Sequence, residues 1–77
     1  MRARLGNVLY AWQVLEDGDW GVIAAVVDGK PTPLVSRSLT VVSTFRQYAE
    51  QHSKTTGLTV RLARFELDVV VERLVAS

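Results

Sequence analysis

Few side chains in this 77-residue sequence are of the types that carry out covalent or metal chemistry. It has one histidine, His52, and no cysteine. A zinc site needs three or four suitably spaced ligands, and a serine nucleophile needs a histidine that an acid orients. The available serines fit cap, turn and helix-surface positions better: Ser36, Ser38, Ser43 and Ser53. We therefore expect no enzyme, no metal or cofactor site and no small-molecule ligand.

The acidic tripeptide Asp17-Gly18-Asp19 superficially matches the start of a calcium-binding loop. The later ligands and the terminal glutamate of such a loop do not follow it. No glycine-rich loop of the kinds that bind nucleotide phosphates occurs elsewhere. We interpret this tripeptide as a turn.

Positive charge is concentrated between residues 37 and 64. This segment contains five cations and a single acid, Glu50. Such clusters contact nucleic-acid phosphates, and aromatic side chains on a sheet stack on bases. The whole chain, however, carries a net charge of only +1, and Arg61 and Arg64 point to opposite faces of a regular strand. Nucleic-acid binding is therefore the alternative function, and its candidate residues are Arg37, Arg46, Lys54, Arg61 and Arg64.

Two apolar runs, 8–15 and 20–27, flank the dipeptide Asp17-Gly18. Asp-Gly between β-branched and aromatic residues favours a two-residue hairpin with a type I′ turn. That turn predicts a register in which opposite residues are Glu16 and Asp19, Leu15 and Trp20, Val14 and Gly21, Trp12 and Ile23, Tyr10 and Ala25, and Val8 and Val27.

Both faces of this predicted hairpin are apolar. One face carries Val8, Tyr10, Trp12, Val14, Ile23, Ala25 and Val27. The other carries Leu9, Ala11, Gln13, Leu15, Trp20, Val22, Ala24 and Val26. A half-solvated sheet should alternate apolar and polar residues, so both faces need cover. Since tryptophan is common at interface hot spots, we expect one tryptophan in the core and the other at an interface formed by Trp20, Val22, Leu9 and Leu15.

The rest of the chain completes a small mixed fold. Residues 28–33 are rich in glycine and proline and predict a turn cluster, and 34–36 predict a third, edge strand. Ser38 is a candidate N-cap for a helix from Leu39 to about Thr55. Its expected buried stripe is Val41, Val42, Phe45, Tyr48, Ala49 and His52.

The C-terminal third supplies one more strand. Gly57 is a suitable helix stop, and residues 58–65 follow it as a strand. Glu50 and Lys54 have the spacing of a helical ion pair. Residues 66–75 fit either a helix or a fifth strand, and we favour a short helix. The prediction is one α+β domain over 1–77, with a β-β-β-α-β antiparallel sheet and one main helix packed on it.

Three stretches, WGVIAAVV, PLVSRS and TTGLTVRLARFE, give the chain a resemblance to small accessory proteins of phages that infect actinobacteria. The resemblance covers about residues 20–66. It implies a protein that binds a host protein, without assigning a role to any residue. The order of elements is also similar to that of some antitoxins with a nuclease-like fold, but their DNA-binding extension is missing here.

These features predict a non-enzymatic protein-interaction module. The doubly apolar hairpin and one covering helix predict a homodimer, with a host protein as a further partner. No apolar run reaches the roughly 20 residues of a membrane span, so we expect a soluble, cytoplasmic protein, in the host cytoplasm if a phage encodes it.

Overall fold

The computed structural model describes residues 8–66 and Leu74. Six strands and two helices follow one another in the order β1 (Val8–Glu16), β2 (Asp19–Val22), β3 (Ala24–Val27), β4 (Lys30–Pro33), β5 (Val35–Ser36), α1 (Leu39–Thr44), α2 (Arg46–Thr56) and β6 (Val60–Glu66). The fold is α+β, as the sequence predicted.

Strand β1 is the centre of the main sheet. Strand β6 pairs antiparallel with it along one edge, from Val8 opposite Glu66 to Val14 opposite Val60. Along its other edge β1 pairs first with β2 and then with β5. The nine-residue strand β1 is therefore hydrogen-bonded along both edges. Because its residues are mostly apolar on both faces, each face is expected to need cover.

The first hairpin has the predicted turn and the predicted register near it. Asp17 and Gly18 have φ angles of 53° and 83°, as a type I′ turn requires. Glu16 faces Asp19, Leu15 faces Trp20 and Val14 faces Gly21. The type of turn therefore determines the register of this part of the sheet.

Beyond Ile23 the predicted pairing is wrong. Strand β3 leaves β1 and forms a separate hairpin with β4, so that Tyr10 faces Ser36 instead of Ala25, and Val8 does not face Val27. The cause is a second Asp-Gly turn, at Asp28 and Gly29, with φ angles of 51° and 81°.

The predicted turn cluster at 28–33 is a turn only at Asp28-Gly29, because its last four residues form β4. Pro31 and Pro33 lie opposite Val26 and Ala24 in the β3–β4 ladder. In a two-residue hairpin these are the non-hydrogen-bonded positions, where a backbone nitrogen points away from the partner strand. Proline is tolerated there, and it leaves the outer edge of β4 poor in donors for another strand.

The two hairpins meet β1 at a junction of three residues. The Ile23 N–H donates to the Trp12 carbonyl at 3.0 Å, the Leu34 N–H to the Ile23 carbonyl at 2.9 Å and the Trp12 N–H to the Leu34 carbonyl at 3.0 Å. The second hairpin can therefore leave and rejoin the sheet while these buried backbone groups stay bonded.

The predicted single helix 39–55 is two helices with a break at Phe45. Ser38 caps the first helix, since its side chain accepts from the Val41 N–H, and Gly57 ends the second with a φ of 74°. At the break, Thr44 Oγ1 donates to the Val41 carbonyl at 2.6 Å, and the Phe45 N–H bonds to the carbonyls of Ser43 and Val42 instead. A threonine hydroxyl thus competes for the carbonyl that would continue the helix.

Two smaller predictions about this segment also need correction. Among the described residues Glu50 pairs with Arg46, at 3.3 Å, and not with Lys54. Val41, expected in the buried stripe, is 44% exposed. The other five members of the stripe are buried or half-buried on both sides of the break, so the predicted periodicity holds apart from Val41: Val42, Phe45, Tyr48, Ala49 and His52.

The core lies between the helices and one face of the sheet. Its buried members are Trp12, Val14, Ile23, Leu34, Val42 and Ala49. Trp12 joins the layers directly, because its Nε1–H donates to the Val42 carbonyl at 2.8 Å. This satisfies both the indole donor and a carbonyl at the break between the helices.

The predicted C-terminal helix at 66–75 falls almost wholly outside the described residues. Glu66 is the last residue of β6. Leu74 lies in no helix or strand and is 87% exposed.

Removing one methyl group from the junction tests this core. The change Ile23→Val should lower the free energy of unfolding by about 1 kcal/mol, since Ile23 is only 2% exposed. Val26→Ala, at a position 65% exposed, should cost less than about 0.5 kcal/mol. Urea titration followed by circular dichroism measures both, and equal losses would contradict the assigned core.

Candidate functional site

The face of the sheet turned away from the helices forms a continuous surface. Paired residues of neighbouring strands share a face, and the registers therefore place one set of side chains together. We call this set the open face: Leu9, Ala11, Gln13, Leu15, Trp20, Val22, Val35, Arg61, Ala63 and Phe65.

The open face is buried at its centre along β1, where Ala11 is 1% exposed, and exposed toward its edges. Val22 is 48% and Phe65 38% exposed, while Leu9, Leu15 and Trp20 are half-buried. The six residues of the core cluster all lie on the other side of the sheet or in the helices. Within residues 8–66, no helix or hairpin contributes to a second core on this side.

At the centre of the open face a cation lies over an aromatic ring. The guanidinium carbon of Arg61 is 3.9 Å from the centroid of the Trp20 ring. The Arg61 Nε–H donates to Gln13 Oε1 at 2.9 Å. A contact of this kind is worth about 0.5–1 kcal/mol when exposed and more when water is excluded. The three residues come from β6, β2 and β1, so their contact also ties the strands together.

This contact gives a hydrogen-bond partner to Gln13, the one polar side chain within the apolar faces of the hairpin. Gln13 is only 7% exposed, and a buried amide without a partner costs about 1–3 kcal/mol. Arg61 supplies that partner and keeps the two Nη groups of its guanidinium for other contacts. Those groups form a planar fork that suits a carboxylate.

Arg61 differs in this respect from two other arginines. Arg46 is 3.3 Å from Glu50, and Arg64 is 3.2 Å from Glu66. Within the part of the chain that the structure describes, no carboxylate lies within 4.0 Å of Arg61. Among the described residues, the side-chain contacts given for Arg61 are with the Trp20 ring and the neutral Gln13 amide.

All four predicted interface residues, Trp20, Val22, Leu9 and Leu15, lie on the open face. Trp12 is the core tryptophan, at 8% exposure, while Trp20 is the half-buried one. The four residues therefore share one face of the sheet, and their role as an interface stays a prediction.

The predicted phosphate-binding residues do not form one patch. Arg61 is on the open face, and Arg64 points to the opposite face, next to Tyr10. Arg46 and Lys54 are on α2, which packs on the helix-covered side, and Arg37 lies just before α1. Arg61 and Arg64 are therefore on opposite faces of the sheet. Arg46 and Arg64 also bond to carboxylates.

The sequence did not predict the contact of Arg61 with Trp20 and Gln13. The contact depends on β6 pairing next to β1 across 48 residues of chain. The isolated glutamine of the hairpin was the available signal, because a buried amide requires a partner. Nothing in local spacing indicated that Arg61 would be that partner.

Two more of the serines considered above are used in local structure. Ser53 Oγ donates to the Leu58 carbonyl, and Ser36 Oγ accepts from the Ser38 N–H. Within the described residues no group of three or more potential metal ligands occurs. A cavity of about 180 Å³ beneath α2 is bordered by the Arg46–Glu50 pair and by Trp12. In the same part of the chain no helix is long and apolar enough to cross a membrane.

Comparison with known proteins gives no relative for this chain. No family model matches it, and neither a curated protein nor a solved structure matches it significantly. The resemblance to phage accessory proteins therefore stays a prediction, and function must be inferred from the surface itself.

Hydrogen exchange of the two indole N–H groups tests the assignment of the tryptophans. The Trp12 group should exchange slowly, because it is buried and bonded to Val42, and the Trp20 group should exchange faster. Arg61→Ala should shift the Trp20 indole resonance and leave that of Trp12 unchanged. Two-dimensional NMR separates the two signals, and equal shifts of both would contradict the assignment.

Proposed function

We propose that this chain is a non-enzymatic protein-interaction module that self-associates through the open face. The observation that carries the proposal is the apolar sheet surface around Trp20, which faces away from the core. Exposed apolar patches of several hundred Å² on small proteins commonly mark interfaces. A partner that covers Val22 and Phe65 would remove apolar surface from water at about 25 cal/mol per Å².

The small size of the domain adds to the benefit of association. A chain of this mass buries only about 60% of the surface that its unfolded form exposes. Its core cluster has six buried side chains on one side of the sheet. Covering the second side would give β1 an apolar environment on both faces, as in the packed sheets of larger domains.

The composition of the open face favours a protein partner over a nucleic acid. Arg61 is the one charged residue in the set that defines this face. Nucleic-acid binding relies on several phosphate contacts at once, whereas Arg64 points to the opposite face and Arg46 is bonded to Glu50. Nucleic-acid binding therefore remains the alternative that the sequence suggested, without a specific structural observation in its favour.

The proposal includes the setting that the sequence suggested. A phage accessory protein would act in the cytoplasm of its host, where the same surface could bind a host protein. The support for this wider role is the resemblance over residues 20–66 together with the aromatic and aliphatic character of the open face.

A charge placed on the open face should prevent self-association. Val22→Asp introduces a carboxylate at a position 48% exposed and should weaken association strongly, while the matched change Val41→Asp, at a position 44% exposed on α1, should leave it unchanged. Sedimentation velocity over a micromolar concentration series measures the dissociation constant of each. The thermal midpoint of each variant shows whether its monomer still folds.

Two results would contradict the proposal. A wild-type chain that stays monomeric at every concentration would remove self-association. Equal weakening by Val22→Asp and Val41→Asp would place the interface elsewhere. Salt-dependent binding of a single-stranded oligonucleotide by the wild type would instead support the alternative function.

A further inference from the structure

Strand β6 is the longest edge strand of the described sheets. Its inner edge pairs with β1, and among the described residues no strand pairs with its outer edge. It has seven residues, whereas β2, β3 and β4 have four each and β5 has two. A long edge strand offers a row of backbone donors and acceptors to another strand.

The backbone groups of alternate β6 residues point to this outer edge. The Leu15 N–H donates to the Thr59 carbonyl at 2.9 Å, so these two residues form a hydrogen-bonded pair beside the end of the β1–β6 ladder. Hydrogen-bonded and non-hydrogen-bonded pairs alternate along an antiparallel ladder. The residues whose N–H and carbonyl groups point outward are therefore the even-numbered ones: Val60, Leu62, Arg64 and Glu66.

The sequence protects the outer edge of β4 but not that of β6. Pro31 and Pro33 remove donors from the outer edge of β4. Strand β6 contains neither proline nor glycine, so all of its outward N–H groups are present. Its side chains add apolar contact area, since Leu62 is 39% and Phe65 is 38% exposed. The outer edge of β6 therefore has the properties of a surface that pairs with another strand.

We propose that the outer edge of β6 pairs antiparallel with β6 of a second copy, so that the two main sheets form one continuous sheet. This contact goes beyond the stacking of open faces in the proposed function, because it joins the edges of the sheets. A two-fold axis perpendicular to the sheet relates the two strands and passes beside Ala63, the middle residue of β6. All seven residues of each strand are then paired, and the even-numbered residues lie opposite one another, as hydrogen bonding between the two outer edges requires.

The side chains of β6 are complementary in this register. Arg61 lies opposite Phe65 of the second copy on the open face, and a cation beside an aromatic ring is a favourable pair. An axis beside Arg64 would instead place two arginines opposite each other, and an axis beside Leu62 would leave the end of β6 unpaired. The other pairs contain no like charges: Leu62 with Arg64, and Val60 with Glu66.

A single cysteine beside the axis tests this register. The wild-type chain has no cysteine, and Ala63→Cys places two thiols opposite each other. Their Cα atoms would be about 4.5 Å apart, which suits a disulfide. In a glutathione buffer this variant should therefore form a disulfide-linked dimer. Open faces that only stack would hold the two backbones about 10 Å apart, too far for the bond.

Phe65→Cys is the matched control on the same strand and the same face. In the proposed register the two copies of this residue are four positions apart, at about 14 Å along the strand. This variant alone should therefore form no disulfide-linked dimer. Efficient linking through both positions, or through neither, would contradict the register.

A proline at an outward N–H tests the backbone pairing itself. Arg64→Pro removes one outward donor from each copy, and the chain already tolerates Pro31 and Pro33 at equivalent positions of β4. Arg64→Ala keeps the N–H and is the matched control. Relative to this control, the proline should weaken the edge contact on the order of 10-fold or more, because hydrogen bonds are lost on both strands. The thermal midpoint shows whether each variant folds.

Sedimentation velocity separates the edge contact from the open face. With both contacts the wild type should assemble as four copies with two kinds of two-fold axis. Val22→Asp should leave edge-paired dimers, and Arg64→Pro should leave face-stacked dimers. The variant that combines the two changes should be a monomer.

The outcomes distinguish this inference from the proposed function. If Val22→Asp is a monomer and Arg64→Pro associates as Arg64→Ala does, the edge contact is wrong and the proposed function stands. If Arg64→Pro is a monomer while Val22→Asp is a dimer, the edge contact stands and the stacking of open faces is wrong. A monomeric wild type would overturn both.

Discussion

Strand β1 is apolar on both faces, and the helices of this small domain cover one of them. This imbalance governs the rest of the structure. On the covered side Trp12 packs under α1 and bonds to the Val42 carbonyl. On the other side the centre is filled by Gln13, the arginine that pairs with it and the ring of Trp20. One face is therefore closed by tertiary packing, while the other is ordered at its centre and apolar around it.

Local signals predicted the parts of the fold that depend on neighbouring residues. Asp17-Gly18 fixed the first turn and the pairs beside it, because a type I′ turn permits one register. Ser38 and Gly57 marked the ends of the helical segment. Alternation along β1, together with the register of the turn, correctly put Trp12 and Trp20 on opposite faces.

The failures arose where two local signals competed or where contacts were distant in sequence. Asp28-Gly29 is the same turn signal as Asp17-Gly18, but the prolines that follow suggested a loop. In the structure those prolines occupy positions where a strand needs no N–H from them. The helix break depends on the hydroxyl of Thr44, and the spacing of apolar residues gives no sign of such a hydrogen bond. The Arg61–Gln13 contact spans 48 residues and required the position of β6.

The chemistry of the candidate site follows from this arrangement of strands. A single ordered cation within an apolar surface suits a protein partner that offers one well-placed carboxylate. Among the described residues, Arg61 bonds to the buried Gln13, contacts the Trp20 ring and is itself exposed.

The central claim, that a second copy covers the open face, is tested most directly by a soluble paramagnetic probe in NMR spectra of dilute and concentrated samples. The account predicts that the probe broadens the NMR signals of Trp20, Val22 and Leu15 less as the protein concentration rises. The broadening of the Val41 signal, on α1, should not change. Broadening of the open-face signals that is the same at every concentration would contradict it.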